Sequence, residues 1–188
     1  MKAVFGLGNP GLAYALTRHN VGFEAVDLYR SVHRVRARGR VENSALVYSW
    51  NDLLLVKPTT FMNESGIAVQ GVLRRRGVDL RDALVIYDDL DLPLGRVRLL
   101  GSGGAGSHKG MGSVIACLRT EQIPRLRIGI ETEGRSAPGA DYVLERFTPE
   151  EWRRIVPALE RAVEAIDLVR ERGLDAAMTE INRKLDPL

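Results

Sequence analysis

The chain has 188 residues, 45% hydrophobic and 27% charged, which is enough apolar material for one domain-sized core and too little length for two catalytic domains. Its charges are spread throughout and no apolar run reaches the roughly 20 residues of a bilayer-spanning helix, so disordered and membrane-spanning classes are excluded. The 27 basic residues exceed the 24 acidic ones, and only four of them are lysines, at 2, 57, 109 and 184; arginine suits planar, multidentate contact with phosphate or carboxylate.

Lys2–Leu7 reads as a buried strand ended by Gly-Asn-Pro-Gly. Asn20 is placed to cap a helix running to about Val35, with Phe23, Val26, Tyr29 and Val32 on its inner side. Ala45–Trp50 and Leu53–Val56, separated by Asn51-Asp52, predict a hairpin. A helix over Met62–Arg76 ends at Gly77, and Ala83–Tyr87 is a second buried strand. Arg96–Leu100 is a strand leading into a glycine cluster that holds six of the 19 glycines between Gly101 and Gly112. Gly110–Leu118 is then a short helix and Leu126–Glu131 a strand. Thr148-Pro149-Glu150-Glu151 supplies a capping Thr, a Pro at the first helical position and a Glu at the third. The helix that follows presents Trp152, Ile155, Val156, Leu159, Val163 and Ile166, with a kink expected at Pro157. Strands alternating with helices, plus a hairpin, predict one α/β domain over residues 1–188 built on a twisted mixed sheet flanked by helices.

The lone Cys117 cannot form an internal disulfide, and the apolar stretch at the start is too short for a secretory signal; a cytoplasmic protein is expected. Residues 1–140 carry 19 basic and 13 acidic side chains, residues 141–188 carry 8 and 11, so a partner bearing phosphates meets the larger part first. The arginine run at 34, 36, 38 and 40 and Arg74–Arg76 read as solvated faces.

Gly6-Leu-Gly8-Asn-Pro-Gly11 matches the dinucleotide-binding pattern G-x-G-x-x-G. Pro10-Gly11 favours a turn over a helix start, and the acidic residue expected about twenty positions later at a strand end is missing, so no nucleotide cofactor is expected. Polar residues collect instead in four segments: Asn9 through Tyr14, Thr17-Arg18-His19-Asn20, Phe61-Met62-Asn63, and Tyr87 to Asp91. Three of these lie at ends of predicted elements, where α/β proteins gather their sites. A His with a carboxylate behind it is the minimum equipment for activating water. His19 precedes a predicted helix, whose positive end disfavours imidazolium. Asp88, Asp89 and Asp91 are equally compatible with a turn or, with His19 or His108, a metal site, although no Cys/His pair or H-x-x-x-H spacing supports a metal.

Four ordered blocks go further. Gly-Leu-Gly-Asn-Pro-Gly with Tyr14 and Thr17-Arg-His-Asn-Val-Gly-Phe23, Lys57-Pro-Thr-Thr-Phe-Met-Asn63-x-Ser-Gly66, Asp88-Asp-Leu-Asp-Leu-Pro93, and Gly101 to Gly110 with Ser-His-Lys-Gly resemble the bacterial-type peptidyl-tRNA hydrolase family. The resemblance implies hydrolysis of the ester between a peptide and the 3′ ribose of tRNA, by a monomer without metal or other cofactor, contacting the acceptor stem and 3′ end. It implies His19 as the base, Asp88 as its stabilising carboxylate, and Asn9 beside the peptide's last residue. Tyr14, Phe61 and Asn63 would line the channel, with Asn63 a donor to the developing oxyanion. Arg98 and Arg127 match positions that face acceptor-stem phosphates, whereas another such position is Leu100 here. The family's His-Asn-Gly is His108-Lys109-Gly110 in this chain, and a protonated Lys109 can donate but not accept a hydrogen bond. The resemblance makes the glycine cluster a flexible wall of the site, and Gly134, Pro138 and Gly139 raise the prospect of a mobile connection near residues 135–150. The alternative is a non-catalytic RNA-binding protein on the same fold, which would need neither His19 nor Asp88.

Overall fold

The computed structural model describes residues 3–132, 135, 137 and 139–183; Gly134 and Pro138 lie outside the described residues. The short apolar runs assemble one seven-stranded mixed sheet in the order β2-β3-β4-β1-β5-β7-β6. β1 (Ala3–Gly6), β4 (Leu53–Pro58), β5 (Ala83–Pro93) and β7 (Arg125–Glu131) form its parallel centre. β2 (Arg40–Glu42), β3 (Ala45–Trp50) and β6 (Val97–Leu100) add antiparallel pairings at the edges. Central strands are apolar on both faces because helices cover both. Val4, Leu84 and Ile86 pack with α1 (Val21–Val32), α5 (Pro149–Arg172) and α6 (Leu174–Arg183). Their neighbours Phe5, Val85 and Tyr87 pack on the other side with α2 (Ser65–Arg76) and α3 (Lys109–Leu118). The expected mixed sheet flanked by helices is therefore present.

The arginine run is exposed at 34, 36, 38 and 40, the solvated face expected of it, and its last residue opens the edge strand β2, which pairs with β3. Two local expectations need correction. Val32 is 57% exposed: α1 stops there, Arg34 takes a left-handed φ of 51°, and Val35 turns inward in its place. Val156 is exposed as well, because the buried stripe of α5 runs through Ile155, Ala158, Leu159, Ala162 and Ile166, about 100° round the helix from it. α5 continues through Pro157, which is exposed, so the backbone bond it lacks falls on the solvent side. Among the described residues no helix is long and apolar enough to cross a membrane.

The fold brings the ends of β1 and β5 together beneath the first turn of α1. A Cβ on Gly6 would stand 2.1 Å from the Gly22 carbonyl oxygen, and one on Gly22 would stand 2.5 Å from the Ile86 oxygen. These glycines allow helix and strands to touch, which accounts for Gly6 without a phosphate. Gly11, with φ of 102°, precedes a 3-10 turn over Leu12–Tyr14 and opens no α-helix.

The far end of the chain clamps this region. Thr148 and Glu151 form the expected reciprocal capping box on α5. Glu151 also receives two bonds from buried Arg18, Nη1 at 2.9 Å and Nη2 at 3.0 Å. The Arg18 and His19 amides donate to the carbonyls of Glu145 and Val143, just beyond α4 (Gly139–Tyr142). Replacing Glu151 by Ala removes half the capping box and leaves buried Arg18 with the Tyr142 and Phe147 rings and, as its remaining carboxylate, Glu145 at 3.9 Å; a loss of about 3 kcal/mol is expected, since a buried charge loses its bidentate partner. Urea unfolding of the variant against wild type measures it, and a change near zero would sink this account of the clamp.

Candidate functional site

A cavity of about 720 Å³ opens where the ends of β1 and β5 meet the start of α2 and the wall before α3. Of the residues singled out in the sequence, Asn9, Tyr14, His19, Phe61, Asn63, Asp88, Lys109 and Arg127 all line it. Arg98 does not line the cavity. It stands exposed on β6, directly opposite Arg127 in the β6–β7 register and so on the same face one strand further out. Leu100 is part of the lining.

At the floor, Asp88 is 1% exposed and serves two histidines. His19 Nδ1 lies 2.8 Å from both carboxylate oxygens, and His108 Nε2 lies 2.9 Å from Oδ1. Burial by itself would push the Asp88 carboxyl up, but the electrostatics and N–H bonds of His108 and His19 outweigh it and hold the group well below the usual carboxylate range. An ionised carboxylate only accepts, so both facing nitrogens carry protons. That decides the tautomers. His19 has its proton on Nδ1, and on this cavity-lining ring its Nε2 lone pair has no partner among the described residues. His108 has its proton on Nε2, and its Nδ1 accepts the Met111 N–H at 3.0 Å as the cap of α3. The rings are 5.0 Å apart, yet only His19 has a nitrogen free to take a proton.

In sequence His108 offers itself only as a metal ligand; its position at the head of a predicted short helix is the signal that it can cap that helix and still face inward. His19, Asp88 and His108 are also the three side chains among the described residues whose donor atoms converge, within 4.8 Å. Ligands about 2 Å from a tetrahedral ion stand about 3.3 Å apart. The contacts of 2.8–2.9 Å are shorter, so an ion there would have to break the hydrogen bonds that now satisfy all three groups.

Asn9 is 6% exposed and oriented from two directions. Its backbone N–H donates to Asn20 Oδ1 at 2.8 Å, and Asn20 Nδ2 donates back to the Asn9 carbonyl at 3.0 Å. Asn20 thus spends its amide on Asn9, where a helix cap was expected, and α1 has no side-chain cap. The Met62 N–H donates to Asn9 Oδ1 at 2.8 Å. With the oxygen taken, the Asn9 NH₂ is the group left to donate into the cavity. Asn63, by contrast, is exposed and makes no hydrogen bond to the described residues. Tyr14 and Phe61 meet edge to face with centroids 6.2 Å apart, giving the mouth an aromatic side. Arg127 is held by Asp89 through Nε, while Lys109, at the first position of α3, is exposed. The glycine wall is hydrogen-bonded at two adjacent residues: Gly103 N–H donates to the Glu121 carbonyl at 3.1 Å, and Gly104 O accepts from Arg125 at 2.9 Å.

Comparison with known proteins places this geometry. A family model described as peptidyl-tRNA hydrolase matches residues 3–187. The peptidyl-tRNA hydrolase of Pseudothermotoga lettingae is 46% identical over 185 residues, covering 97% of each chain. That of Carboxydothermus hydrogenoformans is 47% identical over 189 residues, 97% of this chain and 99% of the relative. Among solved structures, peptidyl-tRNA hydrolase from Acinetobacter baumannii superposes with a TM-score of 0.86 at 29% identity, covering 97% of this chain and 94% of that one. A peptidyl-tRNA hydrolase complex with N-propanol gives 0.89 at the same identity and coverage.

The Asp88 arrangement has a pH signature. An unfolded aspartate titrates near about 3.9, and the folded group titrates lower, so the stabilisation is complete above that pH and is lost as pH falls toward the folded value. The stability gap between wild type and Asp88→Asn, from urea unfolding at pH 7 and pH 3, is expected to be narrower at pH 3. A gap independent of pH would show that the two rings do not hold the carboxylate charged.

Proposed function

The chain belongs to the peptidyl-tRNA hydrolase family and is an enzyme that hydrolyses peptidyl-tRNA, and we propose that His19 Nε2 is the general base that does so. The observation that carries this reading is the asymmetry of the two rings on Asp88: His108 has both nitrogens engaged, and His19 keeps one lone pair for a proton. A water in the cavity gives its proton to Nε2 as its oxygen attacks the ester carbonyl. Asp88 holds the ring and balances the imidazolium that forms. The tetrahedral intermediate collapses by breaking the bond to the 3′ ribose oxygen, which takes the proton back from Nε2. The products are a peptide with a free carboxyl group and a tRNA with a free 3′ hydroxyl. An ester is a good enough leaving system that one base and a few donors suffice, with no covalent intermediate and no metal.

The Asn9 NH₂, fixed by Met62 and Asn20, donates to the peptide beside the ester, and Asn63 reaches the developing oxyanion from the mouth. Tyr14 and Phe61 flank the peptide. Arg127, Arg98 and Lys109 meet phosphates of the acceptor stem and 3′ end, Arg127 from the grip of Asp89 and Arg98 one strand beyond it. A single domain over residues 1–188 that works as a monomer in the cytoplasm completes the reading. The free, half-buried Cys117 suits a reducing compartment.

His19→Ala is expected to lower the turnover of N-acetylated aminoacyl-tRNA about a thousandfold, within the range a positioned base supplies. Turnover equal to wild type would remove His19 from the chemistry. For Lys109→Asn, a phosphate contact predicts a higher KM and a log affinity for tRNA whose slope against log salt is shallower by about 1. Unchanged affinity and slope would make Lys109 a solvated surface residue.

A further inference from the structure

Arg125 opens β7 and is 1% exposed, yet its guanidinium donates to backbone carbonyls where a carboxylate would be the usual partner. Nε reaches the Ile123 oxygen at 3.0 Å, Nη1 the Gly104 oxygen at 2.9 Å and Nη2 the Glu121 oxygen at 2.9 Å. Burying a cation without a counter-ion is costly, and three charge-assisted bonds offset that only while all three carbonyls stay in place.

Two of the acceptors belong to the connection between α3 and β7. The third belongs to the glycine wall. The Glu121 carbonyl takes a second bond from the Gly103 N–H at 3.1 Å, so wall and connection are pinned together at adjacent residues. The next carbonyl along the wall, Ala105 O, accepts the His108 N–H at 3.1 Å. The guanidinium also faces the Tyr87 hydroxyl, whose pKa is pushed up by burial and drawn partly back by Arg125. The Tyr87 ring in turn lies 4.7 Å from the His108 ring. The backbone of His108, through the wall at Gly104 and Ala105, and its ring, through Tyr87, are therefore both linked to this one guanidinium.

We propose that Arg125 is a positioning residue for hydrolysis: by clasping the glycine wall and backing Tyr87, it keeps His108 Nε2 on Asp88 and so fixes the carboxylate that orients His19. The proposal rests on the assignment of His19 and Asp88 above. It gives the glycine cluster a physical role as a strap whose tension is set from β7.

The test combines kinetics with the imidazole spectrum. Arg125→Met is expected to lower kcat about tenfold with KM nearly unchanged, as a misplaced catalytic group does. In a His108→Ala background the same substitution adds no further loss. In nitrogen-15 spectra the signature of neutral His108 with its proton on Nε2 is lost or shifted in Arg125→Met. Arg125→Lys, which keeps the charge and reaches fewer carbonyls, recovers part of kcat, and Tyr87→Phe shifts the His108 signals in the same direction by less. An unaltered His108 signature in Arg125→Met, or an equal fall in kcat with and without His108, overturns the proposal, and Arg125→Lys decides the matter in the same way if the Met variant does not fold. A fully active His19→Ala enzyme would instead overturn the base assignment, a result the His108 spectrum does not touch.

Discussion

A buried carboxylate with two imidazole N–H groups on it is the constraint on which the site depends. Asp88 is held charged at a position with almost no access to solvent, and that state is stable only because both donors arrive. The two donors differ in what lies on their other nitrogen. His108 is locked by the first turn of α3, so its lone pair is spent inside the protein. His19 has no such second bond, and its lone pair faces the cavity. Two chemically identical side chains a few ångströms apart acquire different roles from what their outer nitrogens touch, and the carboxylate enforces both tautomers at once.

The surroundings serve to bring those donors in at the right angle. His19 is held from behind, through its own amide and that of Arg18, by the segment after α4, and Arg18 is gripped by the Glu that also caps α5. Asn9 is held by Asn20 and Met62. His108 leans on the glycine wall and Tyr87. Most of these supports are hydrogen bonds made by loop backbone, several of them to residues far away in sequence. They cross the sheet's carboxyl end, where the parallel strands stop and the chain has free polar groups to spend. The acidic C-terminal region, separate by charge from the rest of the chain, is thus physically joined to the site through Glu151.

Much of this was legible in the residues. Strand runs, the hairpin at Asn51-Asp52, the capping box at Thr148 and the left-handed stop at Gly77 are local signals, because each is decided by neighbours within a few positions, and all appear in the fold. Val32 and Val156 show the limit of the same reasoning: periodicity gives a stripe, but where a helix stops and which neighbour covers its rim are tertiary matters. Asn20 fits a cap in sequence and makes none, since Asn9 lies close enough to take its amide. Arg125 gave no signal at all, for an arginine in a strand reads as a solvent-facing residue until carbonyls from two loops are seen to converge on it.

The sequence by itself determined the fold class, the family and the polar residues from which the site is made, because apolar spacing and long ordered motifs survive in one dimension. Only the tertiary structure decided which histidine keeps a free nitrogen, which asparagine has its NH₂ turned to the cavity, and that Arg98 stands outside the lining while Arg127 lies within it. The histidine and asparagine outcomes turn on the meeting of Asp88 with His19 and His108 and of Asn9 with Met62, groups 20 to 69 positions apart, and a donor's direction exists only once the fold has supplied its acceptor.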